Sequence, residues 1–324
     1  MHNTQKAFIA NIQRMSMDDG PGIRSTVFLK GCSLKCSWCH NPETISSTSH
    51  IQWHPEKCIG CQLCVDTCPE KAIQTDDLNR ISIALSCKHC GSCVEICPST
   101  ALEMIGHYQT IDEIMTTLKK DMTYYQTSGG GVTISGGEPC LQSEPVYHLL
   151  KQLKETGIHT ALDTCGFCDS KVFRQLLPET DLVLYDIKAF DPDQHIEFTA
   201  HSNKRIIDNL HEILSIISDN QLKTVVWIRT PVIPDATGTN DNISLIGQFI
   251  SKLPVDIIKR WDLCAFNPLC QNKYERLNLN WPFQDHSFYN AEQMQTFAEI
   301  ATMACGNPDI VHWSGFTRNE SKEA

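Results

Sequence analysis

The chain has 324 residues, 41 % of them hydrophobic, with a net charge of −11 and seventeen cysteines. That length exceeds one minimal domain and suits a barrel carrying a small added unit. The acidic balance argues against nonspecific nucleic-acid binding, no apolar run approaches the roughly 20 residues of a membrane span, and the N-terminus lacks the apolar stretch of a signal peptide, so a cytoplasmic protein with no membrane or nucleic-acid partner is expected.

So many cysteines in a long chain without an export signal read as metal ligands or redox groups rather than disulfides. Eleven of them fall between residues 32 and 97. In chain order, the apolar run "STVFLKG" (25–31) reads as a buried strand. It leads into "GCSLKCSWCHNPE" (31–43), where Cys32, Cys36 and Cys39 follow a C-x3-C-x2-C spacing with no fourth cysteine nearby. A zinc site completed by His40 is one reading. An iron–sulfur cluster with one open iron position is the other, and an open position is where a substrate or cofactor binds.

Residues 49–106 break the pattern and contain a near-repeat, "CIGCQLCVDTCPEKAI" (58–73) and "CKHCGSCVEICPSTAL" (87–102). Each half is C-x2-C-x2-C-x3-C-P, the bacterial ferredoxin run, in which the fourth cysteine serves the other cluster. Cys58, Cys61, Cys64 and Cys97 are therefore expected to hold one 4Fe–4S cluster, and Cys87, Cys90, Cys93 and Cys68 the other. Zinc is a poor fit to two tandem four-cysteine runs.

Beyond residue 106, strands and helices alternate. "TIDEIMTTLKKDMTYYQ" (110–126) predicts one helix, opened by a Thr110–Glu113 capping box. "GVTIS" (131–135) predicts a strand leading to "GGE". "SEPVYHLLKQLKETG" (143–157) predicts a helix ending at Gly157. Further strands are expected at 159–163, 182–188, 224–230 and 261–266, with helices near 170–178, 204–219, 240–252 and 290–304. Six strand–helix units predict an α/β fold, a partial (β/α)6 TIM-like barrel with an inserted two-cluster ferredoxin-like domain; an open doubly wound sheet is the alternative. The barrel would comprise residues 1–48 and 107–313, the insert 49–106, and a polar tail 314–324.

The barrel is preferred because polar residues gather where the strands end: the cysteine loop, Glu138, Asp163, Asp186 with Lys188, Arg229 and Asn267. In parallel barrels those ends share one mouth, where active sites lie. "CGFC" (165–168) has no thioredoxin-type context, and Cys140, Cys264, Cys270 and Cys305 read as small packing residues. The lysines and arginines of 252–276 read as a solvated face, and His148 and His211 as surface or packing residues.

The opening motif, with Trp38 before its third cysteine, resembles the radical SAM superfamily. The longer stretch "DGPGIRSTVFLKGCSLKCSWCHNPE" (19–43) resembles the glycyl-radical-enzyme activating enzymes, relatives of pyruvate formate-lyase activase, and the insert resembles that family's longer branch. The resemblance covers roughly residues 8–313. It implies that Cys32, Cys36 and Cys39 carry the catalytic cluster, which binds S-adenosylmethionine (SAM), flanked by Trp38 and His40 near the adenine. It places Gly136, Gly137 and Glu138 at the SAM amino group, and Asp163, Thr164, Asp186, the Ile187 backbone and Lys188 around SAM and a monovalent cation, with Lys188 also in the catalytic set. Arg229 would lie near SAM or a peptide, and Asp19 would face the partner's glycine loop. Asn267 stands where some relatives carry a histidine; it keeps a hydrogen bond but cannot titrate near neutrality.

The implied chemistry begins with an electron from a flavodoxin or ferredoxin. Cleavage of SAM then gives a 5′-deoxyadenosyl radical, which takes a glycine α-hydrogen from a partner glycyl radical enzyme. Three 4Fe–4S clusters and a monomer are expected. A radical SAM enzyme acting on a small molecule and a pure electron carrier are the competing readings.

Overall fold

The computed structural model describes residues 5–315 and 317. Its thirteen strands run β1 Lys6–Ser16, β2 Arg24–Leu29, β3 His50–Trp53, β4 Ile73–Thr75, β5 Ile81–Ile83, β6 Leu102–Ile105, β7 His107–Thr110, β8 Gly131–Gly136, β9 His159–Thr164, β10 Leu182–Asp186, β11 Val225–Val232, β12 Ile258–Ala265 and β13 Val311–Ser314. Nine of them form one sheet in the order β13-β12-β11-β10-β9-β8-β2-β1-β7. From β2 to β13 every neighbour is parallel, while β1 pairs antiparallel with both β2 and β7.

The parallel strands follow one another in chain order without reversal. A doubly wound sheet would reverse at a switch point; this winding is the barrel's. It is open, because β13 and β7 are its two edges. The six expected strands are all present. The parallel run has a seventh member, β13, and the antiparallel edge of β1 and β7 is an addition. "HYQT" and "VHWS" are short and largely polar, so partner pairing rather than their own apolar pattern holds them in the sheet.

The outer face of the sheet packs on helices through a core that includes Ile114, Leu118, Leu149, Leu150, Leu210 and Ile246. The inner face carries a separate small cluster of Ala161, Leu182 and Leu184, with Val225 and Trp227 against it. Arg260 lies over the Trp227 ring at 4.9 Å and pairs with Asp262 at 2.9 Å. The inside of the barrel is thus filled at one end, and the opposite end, where the strands finish, is left for the site.

The helix expected over 110–126 is broken. It runs Ile111–Leu118 and Met122–Ser128 with a 3-10 turn at Lys119–Asp121. The capping box at Thr110 and Glu113 is present. The break is set by Asp121, whose fully buried carboxylate takes the Arg14 guanidinium and the Ser25 hydroxyl, the latter at 2.8 Å. Gly157 follows the helix Ser143–Glu155 with φ +73°, as a C-terminal glycine should.

Residues 50–105 build two small sheets, β3 with β6 and β4 with β5. They share a core of Ile51, Cys64, Ile73, Cys93 and Leu102. The tail expected at 314–324 lies almost wholly outside the described residues. Among those described, no helix is long and apolar enough to cross a membrane.

Candidate active site

A cavity of about 420 Å³ opens where the parallel strands end. Cys32, Cys36 and Cys39 line it, as do Trp38 and His40. The strand ends bring Gly136 and Gly137 from β8, Asp163 and Thr164 from β9, Asp186 and Lys188 from β10, and Arg229 from β11. Asn267 and Asp19 complete the wall. Fourteen of the sixteen residues expected around the mouth therefore meet at one cavity; Glu138 and Ile187 do not line it.

The two glycines are explained by close approach. A Cβ on Gly137 would lie 2.1 Å from the Gly31 carbonyl oxygen, and Gly136 has φ +115° with its Cβ position 2.1 Å from the Leu29 nitrogen. Gly137 N–H donates to Leu29 O at 2.9 Å and Glu138 N–H to Gly31 O at 2.7 Å, which stitches the end of β8 to the start of the cysteine loop.

Glu138 is fully buried beneath the cavity. Its Oε1 accepts from Thr164 Oγ1 at 2.7 Å and Cys140 N at 3.0 Å. Its Oε2 accepts from Cys165 N at 2.9 Å and Cys165 Sγ at 3.0 Å. The carboxylate ties β8 to β9. Ile187 donates its N–H to Arg229 O at 2.9 Å and joins the ends of β10 and β11.

The polar residues on the wall come as opposed charges. Lys188 pairs with Asp186, and Arg229 with Asp163 at 3.5 Å. Burial works against the Lys188 charge, but Asp186, with Cys36 and Cys165, outweighs it and holds the ammonium well above its usual range. Arg229 likewise stays charged against burial, held by Cys264 and Asp163. Asp163 also accepts from Ser135 Oγ at 2.7 Å. Burial pushes its carboxyl up to about 6, against the pull of Arg229.

A pH prediction follows from Asp163. The native state keeps this proton to higher pH than the unfolded chain, so the group's contribution to stability is full below about pH 4 and is lost as pH rises through 6. The stability of wild type relative to Asp163→Asn should fall by on the order of 2 kcal/mol between pH 4.5 and 7. Chemical denaturation of both proteins at each pH checks it; a constant difference would contradict the assignment.

On the opposite wall, Trp38 is buried against Phe198 and Phe283 at centroid distances of 5.8 and 6.4 Å. His40 Nε2 donates to Asn267 O at 2.9 Å, and burial lowers its pKa, so the ring is neutral. Asn267 Oδ1 accepts from Leu269 N at 3.2 Å, which leaves the amide NH2 as the donor available to the cavity. Asp19 Oδ2 accepts from Ser16 Oγ and Thr26 Oγ1, both at 2.6 Å, which fixes it against β2.

The structure adds a clasp absent from the sequence reading. The helix Gln271–Arg276 covers the cysteine loop: Tyr274 Oη donates to Cys39 O at 2.9 Å, and Lys273 Nζ to Asn41 Oδ1 at 2.6 Å and Glu43 Oε1 at 2.7 Å. The solvated face expected over 252–276 is therefore wrong for Lys273, as it is for Arg260 inside the barrel. No local pattern marks Lys273, because its partners Asn41 and Glu43 lie far away in sequence. Lys273→Ala should loosen residues 39–45 by about 1.5–3 kcal/mol, the worth of hydrogen bonds to a charged group. Hydrogen exchange of those amides would rise while the rest of the sheet stays protected.

Cys165 and Cys168 are buried, and every cysteine is free, so "CGFC" forms no disulfide. Cys140, Cys270 and Cys305 are buried as expected, whereas Cys264 lines the cavity beside Arg229. His148 is surface-placed, pairing with Glu144 at 3.1 Å, and the His211 ring packs on Phe249.

Two smaller cavities occupy the insert. One is walled by Cys58, Cys61, Cys64 and Cys97, the other by Cys68, Cys87, Cys90 and Cys93. These are the two crossed sets that the repeat spacing predicts. Among the described residues, no three His, Cys, Asp or Glu side chains converge as they would around a single metal ion.

The family described as "4Fe-4S dicluster domain" matches residues 50–114, and "4Fe-4S single cluster domain" matches 18–79. The chain is 35 % identical over 294 residues to the trans-4-hydroxy-L-proline dehydratase activating enzyme of Clostridioides difficile, covering 90 % of this chain and 92 % of that one. It is 36 % identical over 290 residues to the (2S)-3-sulfopropanediol dehydratase activating enzyme of Klebsiella oxytoca, with 88 % and 90 % covered. The chain belongs to the glycyl-radical-enzyme activating enzymes. As an activating enzyme it is a radical SAM oxidoreductase with iron–sulfur sites, acting on a glycyl radical enzyme. In solved structures, its fold is similar to Streptococcus suis SuiB bound to precursor peptide SuiA, with a TM-score of 0.52 at 12 % identity, over 88 % of the activating enzyme and 46 % of that chain.

Proposed function

We propose that this chain activates one glycyl radical enzyme through three 4Fe–4S clusters, one at the barrel mouth on Cys32, Cys36 and Cys39 and two in a ferredoxin-like domain of residues 49–106. Residues 1–48 and 107–313 form the partial barrel that houses the reaction. The observation that carries the reading is the meeting of three cysteines with two opposed charge pairs at one 420 Å³ cavity. Cys32, Cys36 and Cys39 would hold the cluster, which with SAM would supply radical chemistry.

The chain's own residues bind, orient and exclude water. The methionine end of SAM carries an ammonium and a carboxylate, and the wall offers Asp163 and Asp186 to the first and Arg229 and Lys188 to the second. A monovalent cation would find its oxygen ligands at Asp186 and its neighbours. Trp38, backed by Phe198 and Phe283, and the neutral His40 give the adenine a fixed, largely apolar wall. Three cysteines spread around a cavity rather than converging on a point suit a multi-atom cluster better than a zinc ion. The open edge of the sheet leaves room for a protein loop, and Asp19 lines the cavity such a loop would enter.

The electron comes from a flavodoxin or ferredoxin, and the enzyme works as a cytoplasmic monomer. The test is isotopic. A partner carrying α-deuterated glycine should pass deuterium into 5′-deoxyadenosine, in a reaction that requires reductant, SAM and this protein. Label transfer from a small molecule with no polypeptide present would instead support small-molecule radical chemistry.

A further inference from the structure

The contact between insert and barrel gives the two cysteine sets unequal positions. The insert leaves the barrel at His50 and returns at Ile105, and these two residues face each other at one end of the β3–β6 ribbon. Trp53 and Leu102 face each other at the other end. At the barrel end lies Lys30, the residue that precedes the cysteine loop. It is buried, with Nζ donating to Glu43 O at 2.7 Å and meeting His50 Nδ1 at 3.0 Å. His50 Nε2 is buried with no protein partner.

The cavity of Cys68, Cys87, Cys90 and Cys93 is walled by Ile51, the residue after His50. His89, whose ring lies 3.7 Å from Cys87 Sγ, is close enough to act electrostatically on His50. The cavity of Cys58, Cys61, Cys64 and Cys97 is instead walled by Ala101 and Leu102, at the far end of the ribbon. That end also touches the barrel, at Glu56–Arg276 (3.1 Å), but Glu56 is exposed, Arg276 is half-buried, and neither residue walls a cysteine cavity.

We infer that the insert is wired in one order: the Cys58/Cys61/Cys64/Cys97 site is the outer one, where a one-electron carrier protein delivers its electron, and the Cys68/Cys87/Cys90/Cys93 site is the inner one, passing that electron across the Lys30–His50 contact to the cysteine loop. This rests on the reading that both sites hold clusters. The step balances simply: the carrier loses one electron, the barrel site gains it, and no bond is made or broken. Lys30 and His50 are positioning residues, holding the inner site and the cysteine loop in register and closing the gap between them with polar atoms.

The experiment uses reconstituted full-length protein and three variants: Cys61→Ala with Cys64→Ala, Cys90→Ala with Cys93→Ala, and Lys30→Met. Iron content is read first; wild type with one four-iron site alone would overturn the two-cluster reading itself. With the sites present, EPR of the reduced protein should show the barrel signal broadened by its neighbour. Loss of the inner set should remove that broadening, and loss of the outer set should leave it. Reduction of the barrel site by a flavodoxin should be lost in both cysteine variants, while dithionite still reduces it. Lys30→Met should keep its iron and the broadening yet slow the transfer severalfold. Broadening that survives loss of the inner set and vanishes with the outer set would reverse the order. Transfer at the wild-type rate in iron-replete Lys30→Met, or in His50→Phe should that variant fold where Lys30→Met does not, would overturn the role of the contact.

Discussion

Cys36→Ala should abolish 5′-deoxyadenosine formation while leaving the protein folded and still carrying iron. Cys32, Cys36 and Cys39 line the mouth cavity, and the insert has its own eight cysteines in two separate cavities. The variant should therefore lose about one third of its iron, the share of one four-iron site in three. The paired cysteine variants of the insert should lose a similar share each yet keep SAM cleavage with dithionite. If Cys36→Ala cleaved SAM at the wild-type rate, the mouth would not be the reaction centre. If it lost all its iron, the sites would not be independent.

The second large effect belongs to Glu138. Glu138→Gln should cost the fold roughly 3–5 kcal/mol, because a buried carboxylate that accepts four hydrogen bonds would be replaced by a group with one acceptor oxygen and an NH2 facing donors. Thr164→Val, which removes one of the four, should cost about 1–3 kcal/mol. Denaturant unfolding of the iron-free protein checks both. A Glu138→Gln protein of unchanged stability but weakened SAM binding would return this residue to the cavity wall and contradict the structural part assigned to it.

Much of this site is legible in the amino-acid order because its parts are local. The three cysteine runs are spaced by the reach of one loop, and the strand-end residues Asp163, Asp186 and Arg229 follow short apolar runs with clear boundaries. Parallel winding then brings those ends together without further instruction. What is not legible depends on distant partners. Lys273 meets Glu43 across 230 residues, and Asp121 meets Arg14 across 107, breaking a helix whose periodicity is unbroken. β1, β7 and β13 take their conformation from the strands they pair with. Glu138 reads as a ligand because it follows two glycines at a strand end; only the positions of Thr164 and Cys165 reveal that its carboxylate turns inward. Cys264 has no neighbours in sequence that distinguish it from the buried cysteines, and its place beside Arg229 follows from the alternation of β12.

One spectrum tests the activation reaction most directly. Iron-replete protein, reduced anaerobically and mixed with SAM and its partner glycyl radical enzyme, should give the EPR doublet of a glycyl radical on the partner. The doublet should collapse toward a singlet when the partner's glycine is α-deuterated. Cleavage of SAM with no such signal on that partner, in protein whose three cysteines at the mouth are intact and loaded, would contradict it.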